Sequence, residues 1–233
     1  MTERKKKILF IMVAMGDGIF TYIVDLTNKL LNKYDMYIAY TLQRQTPAIY
    51  KEYFYPRIHL MKVENFARFI NPTKNFKAML EMKKIKKEIK LDIIHLHPSK
   101  AGAIGCVIVN EKKNLIFYAP HAYSFLIKNH SKPKRMIFKT IETLFAKTNG
   151  TTINYSKGEH EATLKLTKKV EHVNNGIKTG DDEMVERAFD DMLSEYNTKV
   201  MGHRYSTIYL KTIRGDKLTD VISFPANEMA VAA

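Results

Sequence analysis

Residues 8–31 read ILFIMVAMGDGIFTYIVDLTNKLL, and the order of the parts of this stretch decides the fold. The continuous apolar run from Ile8 to Ala14 predicts a strand buried on both faces, as in a parallel sheet. Gly16-Asp17-Gly18 then turns the chain, and a helix with Ile19, Ile23, Leu26 and Leu30 along one face follows at once. The first amides of a helix lack internal partners and sit at the positive end of its dipole, so such a turn is suited to anions. Without a Cβ, Gly16 and Gly18 let a phosphate or sugar approach the backbone. The same residues also serve as a tight strand-to-helix turn with no ligand, and both readings stay open on this stretch alone.

The commonest ligand of such a turn is a dinucleotide, and the neighbouring residues argue against it. That fingerprint asks for a third small residue where this chain has Thr21, and for a carboxylate ending the second strand. The second strand, Met36 to Thr41, ends in Tyr40 and Thr41. No Gly-Lys-Ser/Thr run is present, which excludes a P-loop.

With 233 residues the chain can bury one substantial core, or one domain and an appendage. Its formal charge of +14 favours anionic partners: nucleic acid, anionic lipid or phosphorylated substrates. Cys106, the only cysteine, rules out an internal disulfide framework and fits a reducing cytoplasm, and its apolar neighbours predict a buried structural thiol. No run of apolar residues is long enough to span a membrane, and the basic start at residues 2–7 leads into a first strand, with no cleavage site of a signal peptide.

Strand and helix patterns alternate along the chain. Strands are expected at Arg57 to Val63, Asp92 to His97, Asn114 to Ala119, Thr151 to Tyr155 and Val170 to Val173. Helices are expected from Pro72 to about Lys90, Lys100 to Val109, Pro133 to Lys147 and Gly158 to Leu166. The fold class is therefore α/β: a Rossmann-like parallel sheet with helices on both faces. Residues 1–177 form that domain. Residues 178–233 read as a divergent tail, with an acidic helix at Asp181 to Tyr196 and strands at Ser206 to Ile213 and Leu218 to Phe224. The strands flank a hairpin turn at Arg214-Gly215-Asp216-Lys217.

The polar residues with chemistry lie behind strand ends. Alternation puts His95 and His97 on one face of the sheet at its carboxyl end, where open α/β folds bind ligands. His121 follows the next strand. Three histidines suit zinc only with a carboxylate nearby, and no cluster of Asp or Glu offers one, so no metal is expected. His95 reads as a partner of loops at the sheet rim, and His97 and His121 as polar groups of a ligand pocket. Ser99 is a natural N-cap, and Lys100, Ala101, Gly102 and Gly105 begin a small-residue helix that packs closely or admits a ligand. The basic stretches Lys74 to Lys90 and Lys128 to Lys147 are either solvated faces or a surface for anionic membrane. Nucleic acid is not expected, because no recognition module is present and the aromatics lie in apolar stripes.

Four of these motifs in order, Gly16-Asp17-Gly18, Asp92-Ile-Ile-His-Leu-His97-Pro-Ser-Lys-Ala-Gly102, Pro120-His-Ala-Tyr-Ser-Phe125 and Asn174-Asn-Gly-Ile177, resemble the amino-terminal, acceptor-side domain of bacterial family 4 glycosyltransferases. The resemblance covers residues 6–177. It implies one half of a GT-B fold and a retaining transfer of sugar from a nucleotide-sugar donor to a lipid-linked or polysaccharide acceptor, in cell-surface polysaccharide synthesis. No cofactor is implied.

By position, His121 is the catalytic candidate beside the transferred sugar. Gly16 and Gly18 fall near the donor phosphate, and His97, Ser99 and Lys100 line the cleft. Asp17 and Ala122 depart from the family pattern, which prefers a small residue at the first position and Gly at the second. The family's second domain, with its Glu-x7-Glu pattern, has no counterpart in residues 178–233. The expectation is thus a truncated transferase that works with a second subunit or domain, cytoplasmic and peripheral on the inner face of the cell membrane. The alternatives are a non-catalytic membrane- or partner-binding domain and, more distantly, a metal-dependent hydrolase.

Overall fold

A computed structural model describes residues 4–15, 17–42, 46–66, 72–97, 115–127, 129–146, 150–174 and 198–216. Seven parallel strands form one sheet: β1 (Lys6–Met15), β2 (Tyr34–Leu42), β3 (His59–Lys62), β4 (Ile93–His97), β5 (Leu115–Tyr118), β6 (Thr151–Asn154) and β7 (Val170–His172). Their order is β3-β2-β1-β4-β5-β6-β7, so the chain reverses direction across the sheet between β1 and β4. Five helices are described: α1 (Asp17–Leu30), α2 (Pro72–Ile89), α3 (Lys132–Ala146), α4 (Lys157–Leu164) and α5 (Thr198–Arg214). Among the described residues of the sheet domain, the order of strands and helices follows the expected alternation.

Alternation along each strand separates two cores. Ile8, Phe10, Met12, Met36, Ile38, Ile93, Phe117 and Ile153 point to one face, where α1 and α5 supply Ile23, Leu26, Met201, Tyr205, Ile208 and Tyr209. Leu9, Ile11, Ile94, Leu96 and Tyr118 point to the other, under Ala78 and Met82 of α2. On α3, Glu142 is buried and accepts a hydrogen bond from the Tyr118 hydroxyl at 2.9 Å.

The tail requires a correction. Ser206 to Ile213 is not a strand but the second half of α5. The buried positions Thr198, Met201, Gly202, Tyr205, Ile208 and Tyr209 recur every three or four residues, as a helix seated on the sheet demands. The β-branched residues Thr207, Ile208, Thr212 and Ile213 favour strands, but packing decides. Gly202 allows the close approach, since a Cβ there would fall 2.9 Å from Cβ of Lys29 on α1. The supposed hairpin turn is a helix end: Gly215 has φ +77°, its amide donates to Thr212 O at 3.2 Å, and the Asp216 amide donates to Lys211 O at 3.0 Å. That pair of bonds is the Schellman motif. The expected elements at Lys100 to Val109, Asp181 to Tyr196 and Leu218 to Phe224, with Cys106, lie outside the described residues.

Candidate functional site

The strand order reverses between β1 and β4, and it is at the carboxyl edge of such a switch point that open α/β sheets form their ligand crevice. Gly18 stands at one side of the switch point, in the first turn of α1 directly behind β1. It is exposed, and a Cβ built on it meets nothing within 4 Å. Neither packing nor backbone conformation requires a glycine there. On the other side, β4 ends at His97, in register with Met12 of β1.

His95 and His97 share one face of β4, as alternation requires, and both are fully buried. His97 Nδ1 lies 2.7 Å from His121 Nε2, in the loop after β5. The Tyr155 hydroxyl, just past the end of β6, approaches the same His121 nitrogen at 3.1 Å. Tyr22 of α1 packs edge-on against both rings, at 5.2 Å from His121 and 4.9 Å from Tyr155. Its hydroxyl donates to that of Tyr205 on α5. His95 sits deeper, with Nδ1 2.6 Å from the Tyr209 hydroxyl. Its partner is therefore a helix packed over the sheet, not a rim loop, which corrects the sequence-based expectation for His95. His121 is partly exposed, whereas His95 and His97 are sealed, so it forms the mouth of this cluster.

Electrostatics make the whole cluster neutral. Burial pushes His95 and His97 well below the ordinary imidazole value, and neighbouring imidazoles add to it. Burial lowers His121 to about 3. Burial likewise raises Tyr22, Tyr155, Tyr205 and Tyr209 well above the ordinary phenol value, with their mutual proximity contributing at Tyr22, Tyr155 and Tyr209. A neutral imidazole pair shares one proton across its contact, with one nitrogen donating and the other accepting. His97 Nε2 is buried without a partner, and so is His95 Nε2. Orphaned N–H donors are the rarer defect, so the network assigns the proton of each ring to Nδ1. His97 then donates to His121 Nε2, and His121 carries its own proton on Nδ1.

The loop holding His121 is strained. His121 and Ala122 have φ of +49° and +75°, consecutive left-handed residues without glycine. Glu159 of α4 pins them: one carboxylate oxygen accepts from the Ala122 amide, the other from the Tyr155 amide at 3.3 Å. Ser156 caps the same helix by accepting from the Glu159 amide at 3.3 Å. Ala122→Gly should therefore relieve strain and stabilise the fold by about 1 kcal/mol, which thermal unfolding reads as a rise of about 2–4 °C.

Of the residues singled out in the sequence, Gly18, His97 and His121 stand at this rim, and His97 and His121 are brought into contact. Gly16, Ser99 and Lys100 lie outside the described residues. His95 turns its Nδ1 to Tyr209 while His97 turns its own to His121, and no group of three metal-ligating side chains occurs among the described residues. The hydrolase alternative finds no support in that arrangement. Tyr22, Tyr155, Glu159, Tyr205 and Tyr209 were not foreseen. The signal for Tyr155 was its place directly behind a strand, on the same rim as His97 and His121.

The sequence pattern of the family described as Glycosyl transferase 4-like matches residues 7–150. A Klebsiella pneumoniae protein, an uncharacterized 41.2 kDa protein in the cps region, is 31% identical over 106 residues, covering 42% of this chain and 29% of that protein. The Anabaena protein Alr3699/HepE in complex with UDP shares the fold with a TM-score of 0.53 at 13% identity, over 81% of this chain and 50% of that one. The apo lipopolysaccharide outer core galactosyltransferase WaaB does so with a TM-score of 0.54 at 17% identity, over 75% and 47%. The chain thus spans about half the length of these structures and a smaller part of the Klebsiella protein. The sheet order and the match over residues 7–150 agree, and this chain belongs to the glycosyl transferase 4-like family.

Proposed function

We propose that this chain forms the acceptor-side wall of a sugar-transfer cleft, taking sugar from a nucleotide-sugar donor in cell-surface polysaccharide synthesis. The observation that carries the reading is the switch in strand order between β1 and β4, which sets the amino-terminal turn of α1, with Gly18 exposed, at the same carboxyl edge of the sheet as His121. The exposed amides near Gly18 suit a donor phosphate. His121 Nδ1–H is a neutral donor for a sugar hydroxyl, and His97 and Tyr155 hold the ring that presents it. A neutral, buried donor suits a polar uncharged substrate, since it requires no ion to be desolvated. The Klebsiella protein of the cps region and the galactosyltransferase supply the biological direction.

The purified chain should bind membrane lipid extract and radiolabelled nucleotide sugar, and should pass label to the lipid fraction once a second domain completes the cleft. Gly18→Ala discriminates site from scaffold. In an exposed first helical turn, alanine should stabilise by up to about 1 kcal/mol while its Cβ lowers nucleotide-sugar affinity roughly tenfold. Absence of transfer together with absence of nucleotide-sugar and lipid binding would overturn the proposal.

A membrane location belongs to the same reading. Among the described residues no helix is long and apolar enough to cross a membrane. The basic faces of α2 and α3 favour contact with an anionic bilayer surface. A partner subunit opposite the carboxyl edge of the sheet would complete the cleft.

A further inference from the structure

The basic helices are not equivalent. On α2, the exposed Phe76 and Leu80 share the helix with Glu81 and Glu88. On α3, Lys132, Arg135, Met136 and Lys139 are spaced at three to four residues and fall on one face. That face lines an open groove of about 380 Å³, bordered also by Phe125 and Leu126 of the turn after β5 and by Ala162, Lys165 and Leu166 at the end of α4. Its floor is apolar, formed by Phe125 and Leu126.

We propose that this groove seats an anionic lipid of the bilayer, with the phosphate held by the cations and the first chain methylenes on the apolar floor. The proposal rests on the membrane part of the reading above and names its site. Four cations line the groove with no carboxylate among them, and none forms an ion pair among the described residues. Arg135 Nε donates to Phe125 O at 2.8 Å, which fixes the guanidinium to the floor and leaves its two NH2 groups for an anion. Met136, which lines the groove, and its neighbour Ile137 stand 69% and 61% exposed, consecutive apolar side chains that water disfavours and a bilayer accepts. Cations around exposed aliphatic groups match the two layers of a lipid interface. A free phosphate has no use for the floor, and an acidic peptide finds no sheet edge on these helices to pair with.

The test is sedimentation of the whole chain with vesicles of phosphatidylcholine alone and of phosphatidylcholine mixed with phosphatidylglycerol. Binding should require phosphatidylglycerol and weaken with salt. Each surface cation contributes roughly fivefold, so Lys139→Ala with Lys165→Ala should weaken binding about 25-fold, while Lys84→Ala with Lys87→Ala on α2 changes it far less. Met136→Ser with Ile137→Ser should weaken it at every salt concentration. Equal losses from the α2 and α3 pairs would overturn the groove and leave the membrane reading standing. Failure of the unaltered chain to bind phosphatidylglycerol vesicles would overturn both. Inorganic phosphate that binds as tightly as the vesicles would reduce the site to an anion site and overturn the lipid assignment.

Discussion

Acidification from about pH 7.5 to about pH 5.5 is expected to remove up to about 4 kcal/mol of folding stability through His95, His97 and His121. All three are held below the ordinary imidazole value in the folded state, so the unfolded chain binds more protons as the pH falls. Stability conferred by a depressed group is present above the unfolded value of about 6.5 and is lost below it. At about one pH unit below 6.5 each unfolded histidine gains about 1.4 kcal/mol from protonation, and the size of the folded-state depression drops out so long as the ring stays neutral. Against a typical stability of about 5–15 kcal/mol this is a large fraction. Glu171 acts in the opposite sense. Burial raises its carboxyl to about 7, with Lys211 of α5 pulling it down. Its contribution is full below the unfolded carboxylate range and fades as pH rises through 7, so it offsets part of the acid loss. Denaturant unfolding as a function of pH should show stability falling below about pH 6.5, and Glu171→Gln should steepen the fall. A flat profile between about pH 7.5 and 5.5 in Glu171→Gln would mean that the imidazoles are not sealed in this neutral network.

That network explains why the fold could be read from the sequence and the site only in part. Strand identity rested on local pattern: apolar runs such as Ile8 to Ala14, each followed by turn residues, specify a buried parallel strand wherever they occur. The common face of His95 and His97 also followed from alternation alone. Their partners did not. Tyr205 and Tyr209 lie more than a hundred residues away, and a tyrosine in a helical stripe carries no mark of the imidazole it will meet. Ser206 to Ile213 was misread for a related reason. Its β-branched residues state a local preference, whereas the sheet face left open beside α1 is a property of the assembled domain. Gly215 was recognised as a turn residue, but a hairpin and a Schellman end both use glycine with positive φ.

The same open face makes α5 the place where one substitution should cost most. Tyr209 is fully buried, its ring lies 4.8 Å from that of Phe117, and its hydroxyl is 2.6 Å from His95 Nδ1. Tyr209→Ala should lose about 3–5 kcal/mol from the cavity, and the unpaired His95 nitrogen adds to that loss. Tyr209→Phe keeps the ring and isolates the polar part, expected at about 1–3 kcal/mol. Leu210→Ala, on the exposed side, should stay within about 0.5 kcal/mol, while Ile208→Ala should cost about 2–4 kcal/mol. Adjacent Ile208 and Tyr209 both sensitive, with Thr207 and Leu210 tolerant, is the signature of a helix that lays two neighbouring residues on the sheet. An alternating pattern, with Thr207 and Tyr209 sensitive and Ile208 tolerant, would restore the strand. If Tyr209→Phe is also silent, His95 takes its hydrogen bond elsewhere, and α5 then covers the sheet without organising the histidines beneath it.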